Sequence, residues 1–338
     1  MSAPARKPRK LRTFSAFGDV RKMPSEYEIV THAQNWNTRA GRLSAFEQNP
    51  SSPMNLWFLT YREHSPLQVD DWDGFRDPDQ ISYRSYVHLQ ADEQTKLDGM
   101  LDSYGEAGAA DALTPEQVTR LGALFTPSRY LVHGMQLVEA YIGYMGPSSY
   151  ITSAAGYANA DFLRRVTMTA YRTRELQLAH PDSGIGTQER GLWEQHPAWQ
   201  PAREAIERAL VAYDFGEAFT ALNLVLGPTL DDLLIRQLGE ASKANGDELT
   251  WLLCDVLAED SNRRNRWSGA LATHCLTSRP ENEAPLRKWI DRWSARADAA
   301  VEALAPLLGA PTADVVAGAQ AAREKFHAGL FQTAAEAV

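Results

Sequence analysis

The sequence predicts an all-α protein, a bundle of long helices preceded by an extended arm. Three observations carry that expectation. From about Thr114 onward apolar residues recur at helical spacing over long stretches. No run of alternating apolar and polar residues is long enough to force a strand. The first 110 residues have a different texture, with turn-forming Asn49-Pro50, Ser52-Pro53, Ser65-Pro66 and Asp77-Pro78 among interleaved large rings. Proline removes a donor and bars its predecessor from the α region, so residues 1–110 read as an arm of extended segments and short helices. A stretch this rich in aromatics is not expected to be disordered.

The helices follow in order. Leu131, Met135, Val138, Ile142 and Met145 share one face, and Gly146-Pro147 breaks that helix. Ser148 to His180 runs about 30 residues without proline, roughly 45 Å if helical, and Pro181-Asp182-Ser183-Gly184 ends it. Further helices are expected over Pro201 to Leu226, Thr229 to Ala244, Asp247 to Thr277 and Glu283 to Leu308. Thr312 to Ala328 is Ala-rich, high in propensity and low in apolar mass. Residues 111–310 thus read as the bundle and 311–338 as a C-terminal helix or tail.

Composition narrows the function. The 338 residues are 44% hydrophobic, enough for a large core. Acidic side chains outnumber basic ones, 43 to 34, for a net charge of −9, which argues against nucleic acid or an anionic membrane as partner. Two cysteines, Cys254 and Cys275, allow neither a disulfide framework nor a four-thiolate zinc site. The apolar runs fall short of a bilayer span, and the basic start from Arg6 to Arg12 has no apolar core of a secretory signal, so a cytoplasmic protein is expected.

Most chemical signatures are missing. There is no nucleophile elbow and no phosphate-binding loop, and Gly184-Ile185-Gly186 lacks the third glycine of a dinucleotide site. Asp71, Asp73, Asp77 and Asp79 imitate a calcium loop, but Phe75 and Ser82 stand where ligands are needed. One Glu-x-x-His, at Glu324 and His327, is the number that chance supplies. More telling are Asp161-Phe162-Leu163-Arg164-Arg165 and Asp260-Ser261-Asn262-Arg263-Arg264, each mid-way along a long helix. Bundle-core di-iron sites place Glu and His three residues apart on one helix face, in each half of the bundle. Two readings follow: two charged helix faces that coincide by accident, or an emptied di-iron bundle in which Phe162 and Ser261 stand at the glutamate places and Arg165 and Arg264 at the histidine places, where a cation would repel the metal.

Beyond these motifs, the chain resembles a known family. The matching stretches are Arg12-Thr13-Phe14, Pro24 to Val30, Ser52 to Trp57, Asp71-Trp72-Asp73, Asp77 to Gln80, Ser128 to Leu131, Thr169 to Leu176, Tyr213 to Phe219 and Arg263 to Trp267. In this order they resemble the β subunit of the hydroxylase of bacterial multicomponent di-iron monooxygenases, in the toluene/o-xylene and alkene/isoprene branch. The resemblance implies a ferritin-like bundle without metal ligands, within a hydroxylase of two α, two β and two γ chains. It implies that the di-iron centre sits in the α chain, and that a Rieske ferredoxin, a reductase and an effector protein act on the complex. On this reading the chain has no catalytic, cofactor-binding or metal-binding residue of its own. Trp36, Trp57, Tyr61 and Trp72 are the expected partner-interface residues. Two competing readings are a chain that holds its own iron through Glu139, Glu175, Glu217 and Glu259, and a helical interaction protein outside the oxygenases.

Overall fold

A computed structural model describes residues 24–34 and 53–336, and among these every regular element is helical. In chain order they are α1 (Glu26–Thr31), α2 (Pro53–Phe58), α3 (Tyr83–Glu106), α4 (Pro115–Arg120), α5 (Ser128–Met145), α6 (Ser149–Ala179), α7 (Glu189–Gln195) and α8 (Gln200–Ala209). After them come α9 (Phe215–Ala244), α10 (Glu248–Ser278), α11 (Glu283–Leu308) and α12 (Thr312–Glu336). The bundle is built on the hairpin of α5 and α6, the most extensive helix pair, with α9 through its centre and α10, α11 and α12 packed around it.

The local reasons are conventional. Asp247 opens α10 by accepting the amide of Thr250 at 3.1 Å, and Ser82 opens α3 in a reciprocal cap with Ser85. Gly309 ends α11 at φ 79°, a left-handed conformation that favours glycine. The face read from Leu131, Met135, Val138, Ile142 and Met145 is wholly buried. At Gly134 an added Cβ would meet Ile206 at 2.7 Å, so glycine lets α5 and α8 approach closely.

Three expectations are corrected. The stretch 83–106, expected within an arm of short helices and extended segments, is a 24-residue helix. The helix expected over Pro201 to Leu226 breaks at 210–214, because Asp214 caps a new start by accepting the amide of Glu217 at 3.0 Å. Beyond it the chain stays helical to Ala244, straight through Gly227-Pro228, where a break was expected. The wide turns of a π-helical segment, Thr220–Leu226, precede Pro228 and relax the ladder that proline disrupts. The carbonyl of Leu224, four residues before Pro228, is taken by Nε2 of His327 at 2.7 Å. That contact gives His327 a structural role and explains the lone Glu-x-x-His. Helix α9 is long and apolar enough to cross a bilayer by composition, but its apolar stretch is entirely buried in the bundle.

Candidate functional site

The two Asp-x-x-Arg-Arg motifs meet. On α6 and α10 they face each other across the bundle, and α9 contributes Asp231 between them. Asp231 is buried, and Nη1 of Arg165 donates to its Oδ1 at 2.7 Å. Nη2 of Arg264 and the hydroxyl of Ser261, the latter at 2.8 Å, donate to its Oδ2. Two guanidinium groups and one hydroxyl therefore close on one carboxylate. The Arg264 guanidinium also lies 4.9 Å from the ring centre of Phe162. About 10 Å³ of free space remains between Asp161, Phe162, Arg165, Asp260, Ser261 and Arg264, room for one water at most.

A second cluster lies beside the first. Nη2 of Arg263 bridges Asp161 at 2.6 Å and Asp260 at 2.7 Å, and Arg164 reaches the other oxygen of Asp260 at 2.6 Å. Helix α3 joins it from outside: the Tyr86 hydroxyl donates to Asp161 at 2.8 Å and the Gln90 amide bridges Asp161 and Asp260 at 2.9 and 3.2 Å. Tyr86 also stacks on Tyr157, with ring centres 4.7 Å apart. On the far side Glu139 of α5, fully buried, accepts from Asn223 of α9 at 2.9 Å.

The electrostatics separate these carboxyls. Burial by itself raises Asp231, but the cations of Arg264 and Arg165 outweigh it and hold the group at about 2. Burial, reinforced by the Asp260 carboxylate, pushes Asp161 up to about 6 despite Arg263. Burial pushes Glu139 up to about 8, against the Asn223 hydrogen bond and the Arg264 charge.

A di-iron centre does not fit this interior. Neither Phe162 nor the guanidinium groups of Arg165 and Arg264 can ligate iron, and those cations already neutralise the nearest carboxylate. Among the described residues no group of three His, Cys, Asp or Glu side chains converges on a metal-sized site. The four glutamates weighed as iron ligands are dispersed. Glu139 binds Asn223, Glu175 pairs with Arg172 at 3.1 Å, Glu217 with Arg292 at 2.7 Å, and Glu259 is exposed. Two of the aspartates that imitate a calcium loop are occupied too, with Asp79 paired to Arg266 and Asp77 accepting the amide of Asp79 at 3.1 Å.

The four aromatic residues expected at a partner interface separate. Trp72 is only 7% exposed and packs edge-on against Phe215, so its burial withdraws it from the surface of this chain. Trp57 and Tyr61 are half-buried, their rings 4.6 Å apart, and Trp57 donates to the Tyr141 hydroxyl at 3.0 Å. Trp36 lies outside the described residues. Sequence reasoning overlooked Asp231, Tyr86 and Gln90. An acid set in the apolar run from Phe215 to Leu234 was the available signal for Asp231, since charge there needs a buried partner.

The class is that of a ferritin-like helical bundle, here with an ion cluster between its central helices. Residues 57–279 match the Methane/Phenol/Alkene Hydroxylase family, and the chain belongs to it. The resemblance read from the sequence is borne out by individual relatives. The hydroxylase component subunit beta of the toluene-4-monooxygenase system of Ectopseudomonas mendocina is 40% identical over 308 residues, 91% of this chain and 93% of that one. The phenol 2-monooxygenase oxygenase component DmpL of Pseudomonas sp. (strain CF600) is 26% identical over 259 residues, 75% of this chain and 76% of that one. Among solved structures, a chain of toluene 4-monooxygenase with toluene bound in its resting active site superposes with a TM-score of 0.83 at 39% identity, covering 90% of this chain and 99% of that one. A chain of phenol hydroxylase from Pseudomonas sp. OX1 shares the fold, with a TM-score of 0.77 at 22% identity over 94% of this chain and 92% of that one.

Proposed function

We propose that this chain is the non-catalytic β-type subunit of a soluble, cytoplasmic hydrocarbon monooxygenase hydroxylase. One observation carries the reading. The interior that a metal-bearing ferritin-like chain would devote to iron is closed here by the Arg165–Asp231–Arg264 ion cluster, with Ser261 and Phe162 completing it. Partner identity follows from the resemblance and from the names of the relatives. The chain pairs with a larger α chain that holds the di-iron centre and the hydrocarbon pocket, and with a γ chain, in an assembly of two copies each. A Rieske ferredoxin, a reductase fed by NADH and an effector protein serve that complex. Its reaction is hydroxylation or epoxidation of an aromatic or alkene substrate. This chain's part is to present a rigid surface, and its buried charges hold that surface in one arrangement. The competing reading of a chain with its own iron finds no converging ligand set among the described residues.

The test is expression of this chain alone and together with the larger neighbouring reading frame. Iron well below one atom per chain when alone, stoichiometric co-purification with the neighbour, and hydrocarbon oxidation only by the complex are expected. About two irons per chain in the isolated protein, or a stable monomer indifferent to the neighbour, would overturn the reading.

A further inference from the structure

Two carboxyl groups of the interior have opposite surroundings. Asp231 accepts from two guanidinium groups and a hydroxyl, so it is served as an anion. Glu139 of α5 has no exposed surface, and its hydrogen bond comes from a neutral group, Nδ2 of Asn223 on α9, to Oε2 at 2.9 Å. The charged groups packed around it are engaged elsewhere. Arg264 of α10 gives Nη2 to Asp231, and Asp161 of α6 is bridged by Arg263. Their charges act on Glu139 in opposite senses, Arg264 favouring the anion and Asp161 opposing it.

The atoms left over are informative. Oε1 of Glu139 and Oδ1 of Asn223 are both shielded from solvent, and neither has a donor. An ionised carboxylate and an amide oxygen only accept, so one bonded pair is left with two unserved acceptors. A buried anion with a single neutral donor is strongly unfavourable, and a buried carbonyl without a donor is costly. One proton on Oε1 removes both faults, because Oε1 becomes a donor and Oδ1 the acceptor it needs. A carboxylic acid and a carboxamide are planar forks of similar size, suited to pairing through two parallel hydrogen bonds.

We propose that Glu139 is a neutral acid that donates from Oε1 to Oδ1 of Asn223, closing a two-bond ring that locks the wide turn of α9 onto α5 and weakens as pH rises. Asn223 is the central residue of the π-helical segment Thr220–Leu226, every residue of which is buried. The next residue, Leu224, is held from α12 by His327, so side chains of two other helices serve this turn. Loss of the proton breaks the Oε1 bond, leaves the Asn223 carbonyl without a donor and puts an anion in the core. Opening the turn hydrates that anion, so opening becomes easier as pH rises from about 4.5 toward about 8 and levels off above it. The lock is independent of the subunit assignment.

The experiment uses the full chain. Infrared difference spectra between the natural protein and Glu139→Gln should show one protonated-carboxyl band at about pH 6. That band should titrate away with a midpoint near 8 and move to higher frequency in Asn223→Ala, which removes the ring. Hydrogen exchange of peptides spanning 220–226, corrected for intrinsic rates, should lose about tenfold in protection between about pH 6.5 and 8 in the natural protein. The loss should be at most about threefold in Glu139→Gln, whose amide makes both bonds without a titrating proton. Absence of the band, or a band that Asn223→Ala leaves in place, would overturn the ring. Equal loss of protection in Glu139→Gln would overturn the lock. Presence of the band and the exchange comparison need only Glu139→Gln, so they decide the matter even if Asn223→Ala does not fold.

Discussion

Replacing Asp231 by asparagine removes one negative charge and almost no volume, so it isolates what that charge does. Arg165 and Arg264 would remain buried, now facing each other across a neutral amide. Two routes give the cost. Depression of the carboxyl from its ordinary 3.8 to about 2 corresponds to about 2 kcal/mol of stability. Loss of one partner from a buried ion pair typically costs about 3–5 kcal/mol, because the remaining charge is left without compensation. The expected loss for Asp231→Asn is therefore about 2–5 kcal/mol, a large part of the 5–15 kcal/mol typical of folded proteins. The measure is the urea midpoint at constant slope, with calorimetry expected to show a melting temperature roughly 3–7 °C lower for a chain of 338 residues. The sign in acid follows from the depressed pKa: this contribution is present above about 4 and disappears as pH falls through about 2. Replacing the whole triad by apolar residues, Asp231→Leu with Arg165→Met and Arg264→Met, should be far less harmful than the single change. If Asp231→Asn lies within about 0.5 kcal/mol of the natural protein, the ion cluster does not hold the core and the reasoning fails.

Other predictions address separate contacts. Glu139, held at about 8 by burial, is protonated at neutral pH; its stabilising contribution is full below about 4.5 and lost as pH rises through about 8, so Glu139→Gln should match the natural protein near pH 4, exceed it in stability at pH 7, and flatten the decline between about pH 4.5 and 8 in thermal melts. Asp161 behaves alike at lower pH, and Asp161→Asn should reduce the fall in stability between about pH 4 and 7 seen in urea titrations. His327→Ala leaves the Leu224 carbonyl without its donor and should cost about 1–3 kcal/mol; a double-mutant cycle with Pro228→Ala, which restores an amide nearby, should show favourable coupling. Asp214→Ala removes both the cap of α9 and the acceptor of the Ser65 hydroxyl at 2.9 Å, an expected loss of about 1–2 kcal/mol by chemical denaturation.

Legibility in the sequence tracked how local the cause was. The extents of α6, α10 and α11 were readable to within a residue or two, because caps and breakers such as Asp247, Pro181 and Gly309 act on their own neighbours. The break at 210–214 and the passage through Pro228 were not readable. One depends on Asp214 outcompeting the helix, and the other on a carbonyl being satisfied by His327 from another helix, 103 residues away in the chain. Helix α3 was hidden by its polar composition, since only Tyr86, Leu97 and Leu101 of its residues are buried. Likewise Trp72, an aromatic suited on composition to an interface, proved to be core.

The residue types alone determined that the motifs on α6 and α10 could not bind iron, because Phe, Ser and Arg at those positions lack the required donor atoms or repel the metal. Helical class, acidic character and family resemblance were equally present in the linear order. What fills the centre of the bundle was decided only in three dimensions. Asp231 lies 66 residues from Arg165 and 33 from Arg264 in the chain, and no local rule pairs them. They meet because buried charge without a partner is so unfavourable that the bundle must bring one carboxylate between two guanidinium groups.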